Sequence, residues 1–318
     1  MRLPERVSVT EVAPRDGLQS LGTWVSTEDK VRIVERMLDA GVTSIEVTAF
    51  SHPRMVPDLA DADALLRALP RRRGVDYRAL VPNLRGAERA LDAGVTTAVA
   101  LMTATSVYSL KNQGKTHPEL LDQLVDVATW CRARELPCEA AIGLAFFDPY
   151  EAETPPERIM AILERLTDNG VSSVYLACST GLDSPRRVHD LCARVLDTHP
   201  DLDLGLHIHT TNGFSSATVL AGLLAGVRRF ESAVCGIGGG IAMPPGMADF
   251  GNLATEDLVH LLTLLDIDCG LDLPAVLRAS DDVAGILGVR SVSPAARGAT
   301  QESVLALSAA GSNGAAAR

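Results

Sequence analysis

Two imidazoles two residues apart, His207 and His209, are the side chains in this sequence best placed to do chemistry together. They lie in Leu204-Gly205-Leu206-His207-Ile208-His209-Thr210-Thr211-Asn212-Gly213, where apolar Leu204, Leu206 and Ile208 alternate with Gly205, His207 and His209. A period of two is a strand pattern, and side chains at i and i+2 on a strand share one face. Thr-Thr-Asn-Gly closes the run as a turn, and an apolar helical stretch from Ala217 to Gly226 follows. Paired imidazoles at the carboxyl end of a buried strand make half of a divalent metal site. Oxygen ligands are available at other strand ends: Asp16 in Pro14-Arg15-Asp16-Gly17-Leu18-Gln19, and Asn252 in Gly251-Asn252-Leu253. Two nitrogens and two oxygens suit a six-coordinate ion with open positions, Mg²⁺ or Mn²⁺, with Zn²⁺ as the alternative. The plainer readings compete with this one. Asp16 could be only a turn residue before Gly17, Arg15 only a partner for Glu46, and Asn252 only a cap for the helix opening at Thr255.

Bringing positions 16, 207, 209 and 252 together needs a scaffold whose strand ends converge. One unit recurs along the chain: a short β-rich apolar run, polar turn residues, then an amphipathic helical stretch. The runs fall at 8–12, 44–50, 77–82, 97–103, 137–143, 172–178, 204–210 and 229–236. Helical stretches are expected at 28–40, 61–69, 85–93, 118–134, 155–169, 185–198, 215–225 and 255–265. Start and stop signals support them: Ser26 or Thr27 ahead of Glu28-Asp29, prolines at 155 and 156, and Gly41, Gly94, Gly170 and Gly226 at helix ends. Eight strand–helix alternations predict an α/β fold, a (β/α)₈ TIM barrel. A doubly wound sheet is the competitor, but no Gly-x-Gly-x-x-Gly follows the first run. The expected organisation is a single barrel domain over 1–290, with one or two extra helices at 272–289, and a flexible Ala/Gly/Ser-rich tail over 291–318. In a barrel the chemistry sits where strands end, which puts Glu11, Glu46, Thr48, Asn83 and the loop Gly236-Ile237-Gly238-Gly239-Gly240 beside the metal ligands.

The 318 residues carry a formal net charge of −11 and a pI near 5.1. That balance argues against an extended phosphate backbone, so no nucleic-acid partner is expected. A small anionic substrate is compatible, because a local arginine or metal outweighs the global charge. Six cysteines with no Cys-x-x-Cys pair fit a reducing, cytoplasmic compartment. Neither a signal peptide nor a membrane span is predicted, and a homodimer or larger homo-oligomer is expected.

The sequence resembles the 3-hydroxy-3-methylglutaryl-CoA lyase family, within the wider metal-dependent group of isopropylmalate and homocitrate synthases. The likeness runs from about Val7 to Leu265. Its carriers are Glu-Val-Ala-Pro-Arg-Asp-Gly-Leu-Gln (11–19), Ile-Glu-Val-Thr-Ala-Phe-Ser-His-Pro-Arg-Met-Val-Pro (45–57), Val-Pro-Asn-Leu-Arg-Gly (81–86), His-Ile-His (207–209) and Gly-Asn-Leu-Ala-Thr-Glu-Asp-Leu-Val (251–259). Pro-Arg-Asp-Gly-Leu-Gln points to the lyase branch. The resemblance implies a (β/α)₈ fold, metal ligands Asp16, His207, His209 and Asn252, Arg15 facing the oxygen on which charge develops, and Gln19 and Glu46 lining the site. It also implies a small-molecule substrate carried as a CoA thioester.

Departures from the family pattern are as specific. Gly240 stands where the lyases carry a loop cysteine, and the loop over 240–252 is longer than usual. Thr210-Thr211 replaces Asp-Thr after His-x-His, and Ala177-Cys178-Ser179 replaces Gly-Asp-Thr. The expected activity is therefore a metal-dependent carbon–carbon cleavage of retro-Claisen or aldol type, acting on a relative of 3-hydroxy-3-methylglutaryl-CoA rather than on that thioester itself. Such cleavage needs a hydroxyl deprotonated and an enolate stabilised. With the loop thiol gone, Glu46, Cys178, Cys235 and His207 remain as proton carriers; Cys178, at a lost carboxylate's position, is the leading expectation. A condensing synthase and a non-catalytic metal-retaining protein are the alternatives.

Overall fold

The computed structural model describes residues 3–239, 251–301 and 303–308. Eight parallel strands close on themselves: β1 (Ser8–Glu11), β2 (Ser44–Ala49), β3 (Asp76–Leu80), β4 (Thr97–Thr103), β5 (Cys138–Gly143), β6 (Ser173–Cys178), β7 (Asp203–Thr210) and β8 (Arg229–Ser232). Closure is made by β8, which pairs with β7 through Glu231↔His207 and with β1 through Thr10↔Glu231. The expected (β/α)₈ barrel is the observed fold. Around it run α1 (Thr27–Asp39), α2 (Ala62–Ala68), α3 (Leu84–Asp92), α4 (Ser106–Gln113), α5 (His117–Arg132), α6 (Pro156–Asp168), α7 (Pro185–Thr198), α8 (Ser215–Ala225) and α9 (Thr255–Leu264). Outward residues of the strands and inward residues of the helices form one continuous core, from Val7 and Ile33 through Leu163 and Val195 to Leu262 and Val283.

Three elements differ from expectation. The eighth strand ends at Ser232 instead of continuing to 236, because Cys235 turns the chain at φ 65° into a short 3₁₀ turn. Helix α4 was not expected; no proline or glycine marks its start, and only Gly114 closes it. The one or two extra helices expected over 272–289 are present as one, α10 (Leu273–Leu287), capped at its start by the Asp272 side chain, in keeping with expectation. Residues 291–300, placed in the tail by composition, are packed: Ser293 Oγ donates to Asp257 Oδ1 at 2.6 Å, and helix α11 (Pro294–Arg297) follows. Gly240, the long loop to Phe250 and the tail beyond 308 lie outside the described residues.

Inside the barrel, the floor is ionic. Glu139 accepts from both Arg78 and Arg229, and Arg78 also donates to Thr10. Arg78 and Glu139 are buried, so each charge depends on its partner. A Glu139→Leu variant, which leaves Arg78 with Asp76 at 3.6 Å and Arg229 with Asp203 at 3.0 Å as their remaining carboxylates, is expected to lose about 3 kcal/mol of stability. An unshifted urea midpoint would show that water reaches the barrel floor. Above this layer the interior splits. On one side Val99, Leu101, Ala141, Tyr175 and Ala177 form a small apolar cluster. On the other, β1, β2, β7 and β8 carry ionisable groups.

Candidate active site

The chain leaving β1 forms a five-residue π-type turn, Ala13–Gly17, in which the Val12 carbonyl accepts from the amides of Arg15, Asp16 and Gly17. Such turns are uncommon and often mark functional positions. Glu11 holds this one in place. Its carboxylate accepts from the amides of Ala13 and Val234 and from the Thr255 hydroxyl, tying the turn to the end of β8 and the start of α9. Burial pushes the Glu11 carboxyl up to about 7 against those bonds. Glu11 is a clip, not a contact to the cavity.

The turn presents Arg15 and Asp16 to the barrel mouth. Arg15 Nε and Nη2 donate to Glu46 Oε2, each at 2.7 Å, and Nη1 donates to Asp16 Oδ1 at 2.8 Å. Burial works against the Asp16 charge, yet Arg15 and the two histidines hold its carboxyl well below the usual range. Burial raises the Glu46 carboxyl, with the Glu231 charge adding to it and Arg15 opposing.

The two histidines meet as the strand period requires, and their hydrogen bonds fix their tautomers. His207 Nδ1 lies 2.9 Å from Glu231 Oε2, and His209 Nδ1 lies 2.8 Å from the Ser179 carbonyl. Both partners only accept, so both Nδ1 atoms carry hydrogen and both Nε2 atoms of the neutral rings are bare. Those Nε2 atoms face each other at 2.9 Å. Two lone pairs at that distance repel unless a cation or a shared proton sits with them. Burial pulls the His207 imidazolium pKa down, but the Glu231 bond and the charges of Glu231 and Asp16 outweigh it, and the net shift is upward.

Asn252 reaches the same point by pairing against β7, Asn252↔His209 in antiparallel register. Its Nδ2 donates to Asp16 Oδ2 at 2.6 Å and to the Ile237 carbonyl at 3.0 Å. Those two acceptors leave Oδ1 as the free end of the amide, buried and without a partner among the described residues. Ligand atoms of Asp16, His207 and His209 all lie within 4.8 Å of one another. A divalent cation fits this set: two bare imidazole nitrogens, a carboxylate held ionised and an orphaned amide oxygen. Gly238 closes over it. A Cβ there would come within 2.1 Å of Asn252 Nδ2 and 3.1 Å of Asp16 Oδ2, so only glycine fits.

The group opens on a cavity of about 610 Å³ at the carboxyl mouth, lined among others by Arg15, Asp16, Gln19, His207 and His209. Lys111 and Lys115 stand on the same wall, so the cavity is locally cationic on a protein of net charge −11. The Leu144 wall is held in the left-handed region, φ 55°, with its amide donating to Ser179 Oγ at 3.0 Å.

Three expectations need correction. Glu46 does not line the cavity; it stands behind Arg15 and pairs with its guanidinium. Cys178 does not face the site either. Along β6 the inward residues are Tyr175, Ala177 and then Ser179, and Cys178 points the other way, into the core between barrel and helices. Burial, then Asp183 and Cys192, push its thiol well above the ordinary range, which suits packing and not proton transfer. Cys178→Ser is therefore expected to leave turnover within about twofold, and a tenfold loss would return the thiol to the chemistry. Cys235, buried with its sulfur against Ser280, is likewise outside the cavity. Glu231 and Tyr175 were not anticipated. An ionisable or phenolic residue on the inward phase of a barrel strand is the signal that marks both.

Fold and site together define a (β/α)₈-barrel enzyme with its polar groups gathered at the carboxyl mouth. The chain belongs to the HMGL-like family, whose pattern matches residues 6–283. It is 34% identical over 280 residues to hydroxymethylglutaryl-CoA lyase YngG of Bacillus subtilis, covering 88% of this chain and 93% of that one. To the (R)-citramalyl-CoA lyase of Chloroflexus aurantiacus it is 37% identical over 294 residues, covering 89% and 92%. The crystal structure of the Bacillus subtilis HMG-CoA lyase superposes with a TM-score of 0.89 at 33% identity, covering 93% and 99%. An HMG-CoA lyase from Acinetobacter baumannii, in complex with coenzyme A and 3-methylmalate, gives 0.88 at 28% identity, covering 93% and 96%. The chain is a carbon–carbon lyase. Among its described residues, no helix is long and apolar enough to cross a membrane.

Proposed function

We propose that this lyase is divalent-metal-dependent and cleaves a 3-hydroxyacyl-CoA thioester, a relative of 3-hydroxy-3-methylglutaryl-CoA, by a retro-Claisen route. The observation that carries the metal is the pair of bare Nε2 atoms at 2.9 Å, beside ionised Asp16 and the orphaned Asn252 Oδ1. Asp16, His207, His209 and Asn252 would hold the ion, which supplies Lewis-acid polarisation of substrate oxygens when bound. The chain's own groups account for the rest. Glu231 and the Ser179 carbonyl keep both imidazoles in the tautomer that leaves Nε2 free. Glu46 and Asp16 hold the Arg15 guanidinium at the cavity wall, where it stabilises the enolate oxygen as the bond between the α and β carbons breaks. The cationic wall at Lys111 and Lys115 suits an anionic thioester, in keeping with relatives named as CoA-thioester lyases and one bound to coenzyme A. Six free thiols fit a reducing interior, and we place the protein in the cytoplasm.

The substrate is expected to differ from the parent thioester because Cys178 and Thr210 stand where the family pattern carries carboxylates. The test is a panel of 3-hydroxyacyl thioesters, citramalyl-CoA and 3-hydroxy-3-methylglutaryl-CoA among them, incubated with purified protein and Mn²⁺ or Mg²⁺. Mass spectrometry reads the released acyl-CoA, and a chelator is expected to abolish it. No cleavage of any thioester by metal-loaded protein would sink the reading. Cleavage of 3-hydroxy-3-methylglutaryl-CoA as fast as the best of the panel would sink its substrate clause.

A further inference from the structure

Tyr175 is the largest side chain on the inward face of β6, and nothing in the family motifs speaks for it. It is 3% exposed, packs with Val99, Leu101, Ala141 and Ala177, and its ring lies 5.9 Å from that of His207. It lines the cavity that holds the Asp/His/His group. Its hydroxyl has no hydrogen-bond partner among the described residues, and it is not among the sealed polar atoms that go unpaired. The phenol oxygen therefore opens on the cavity. A phenylalanine would fill the same apolar pocket, and the hydroxyl adds a polar atom that only the contents of the cavity can pair with. The ring alone does not account for the residue.

We propose that Tyr175 is a specificity-determining residue whose hydroxyl donates a hydrogen bond to an oxygen of the bound hydroxy acid, selecting substrates that carry an acceptor beside His207. This inference rests on the cavity being a hydroxyacyl site, as proposed above. The phenol keeps its hydrogen: burial, then the charges of Glu231 and Glu46, raise its pKa well above the ordinary tyrosine value, with Arg15 opposing. The same neighbours define what it meets. Arg15, Asp16 and His207 line the same cavity, so a ligand oxygen that reaches Tyr175 sits in the space those groups surround. Its position compensates for the altered rim: where the family pattern offers strand-end carboxylates, this chain offers a neutral donor from deeper in the barrel. A site of this kind rejects ligands lacking the acceptor, because the donor is then left unpaired.

The experiment compares wild type with Tyr175→Phe, both loaded with Mn²⁺. Binding of 3-methylmalate, the hydroxy diacid that the Acinetobacter baumannii lyase holds, is measured by calorimetry. Equal melting temperatures and equal Mn²⁺ affinities are expected, which separates a lost contact from a disturbed fold or metal group. The Phe variant is expected to bind 3-methylmalate about tenfold or more weakly, the size of one hydrogen bond. Affinity within twofold, or no binding by the wild type, overturns the inference. The two proposals fail separately. Tyr175-dependent binding without cleavage of any thioester sinks the lyase substrate and leaves Tyr175 standing, whereas cleavage with Tyr175-independent binding does the reverse.

Discussion

A His207→Ala, His209→Ala double variant is expected to lose its divalent metal and about a thousandfold or more of its turnover. The first half follows from ligand count. Asp16 and Asn252 would remain, bonded to each other through Asn252 Nδ2 at 2.6 Å, and two such oxygens do not hold an ion against water. The second half follows from what the ion supplies. Lewis-acid stabilisation is worth several kcal/mol at the transition state, and each 1.4 kcal/mol or so is a factor of ten. Metal content by atomic emission and turnover of the best thioester in the panel are the two readings. Undiminished metal in the double variant would move the site away from these residues. Lost metal with undiminished turnover would leave the site structural and the lyase chemistry metal-free.

How much of this was legible in the chain depends on how local each signal is. The His-x-His pair is local: a period of two places both rings on one face, and β7 does so. The barrel was legible because eight strand–helix units repeat, and that topology alone brings positions 16 and 209 near each other, with His209 Nε2 3.7 Å from Asp16 Oδ2. Phase within a strand was the weak point. Cys178 and Ser179 are neighbours in sequence, and a step of one residue reverses the face, so the thiol expected at the mouth lies in the outer core. Glu231 escaped notice for a different reason. Its partner, His207, is fixed by register between β7 and β8, Glu231↔His207, which no single segment displays. The same holds for the ionic floor, where Glu139 from β5 joins arginines of β3 and β8. Pairings across the closed barrel are properties of closure, and sequence periodicity carries nothing about them.

Arg15→Lys is expected to cut turnover about a hundredfold while changing KM by little, because the guanidinium is held for a charge that appears only as the bond breaks. Its geometry explains why lysine is no replacement. Two edges of the fork are already committed, Nε and Nη2 to Glu46 and Nη1 to Asp16, and the planar group holds all of these bonds at once while still facing the cavity. An ammonium is a point charge. Drawn to buried Glu46 it leaves the cavity wall, and drawn to Asp16 it leaves Glu46 unpaired. The same argument orders the variants. Arg15→Ala strands buried Glu46 and leaves Asp16 only Asn252 Nδ2 and His209, and is expected to cost about 3–5 kcal/mol of stability in addition to activity. Arg15→Lys keeps one positive charge and loses less. Steady-state kinetics on the best thioester, with melting temperatures beside them, separate the two effects. A rise in KM with kcat intact would make Arg15 an anchor for the bound substrate rather than a stabiliser of its enolate, and equal kinetics for lysine and arginine would show that charge alone, without the fork, suffices at this wall.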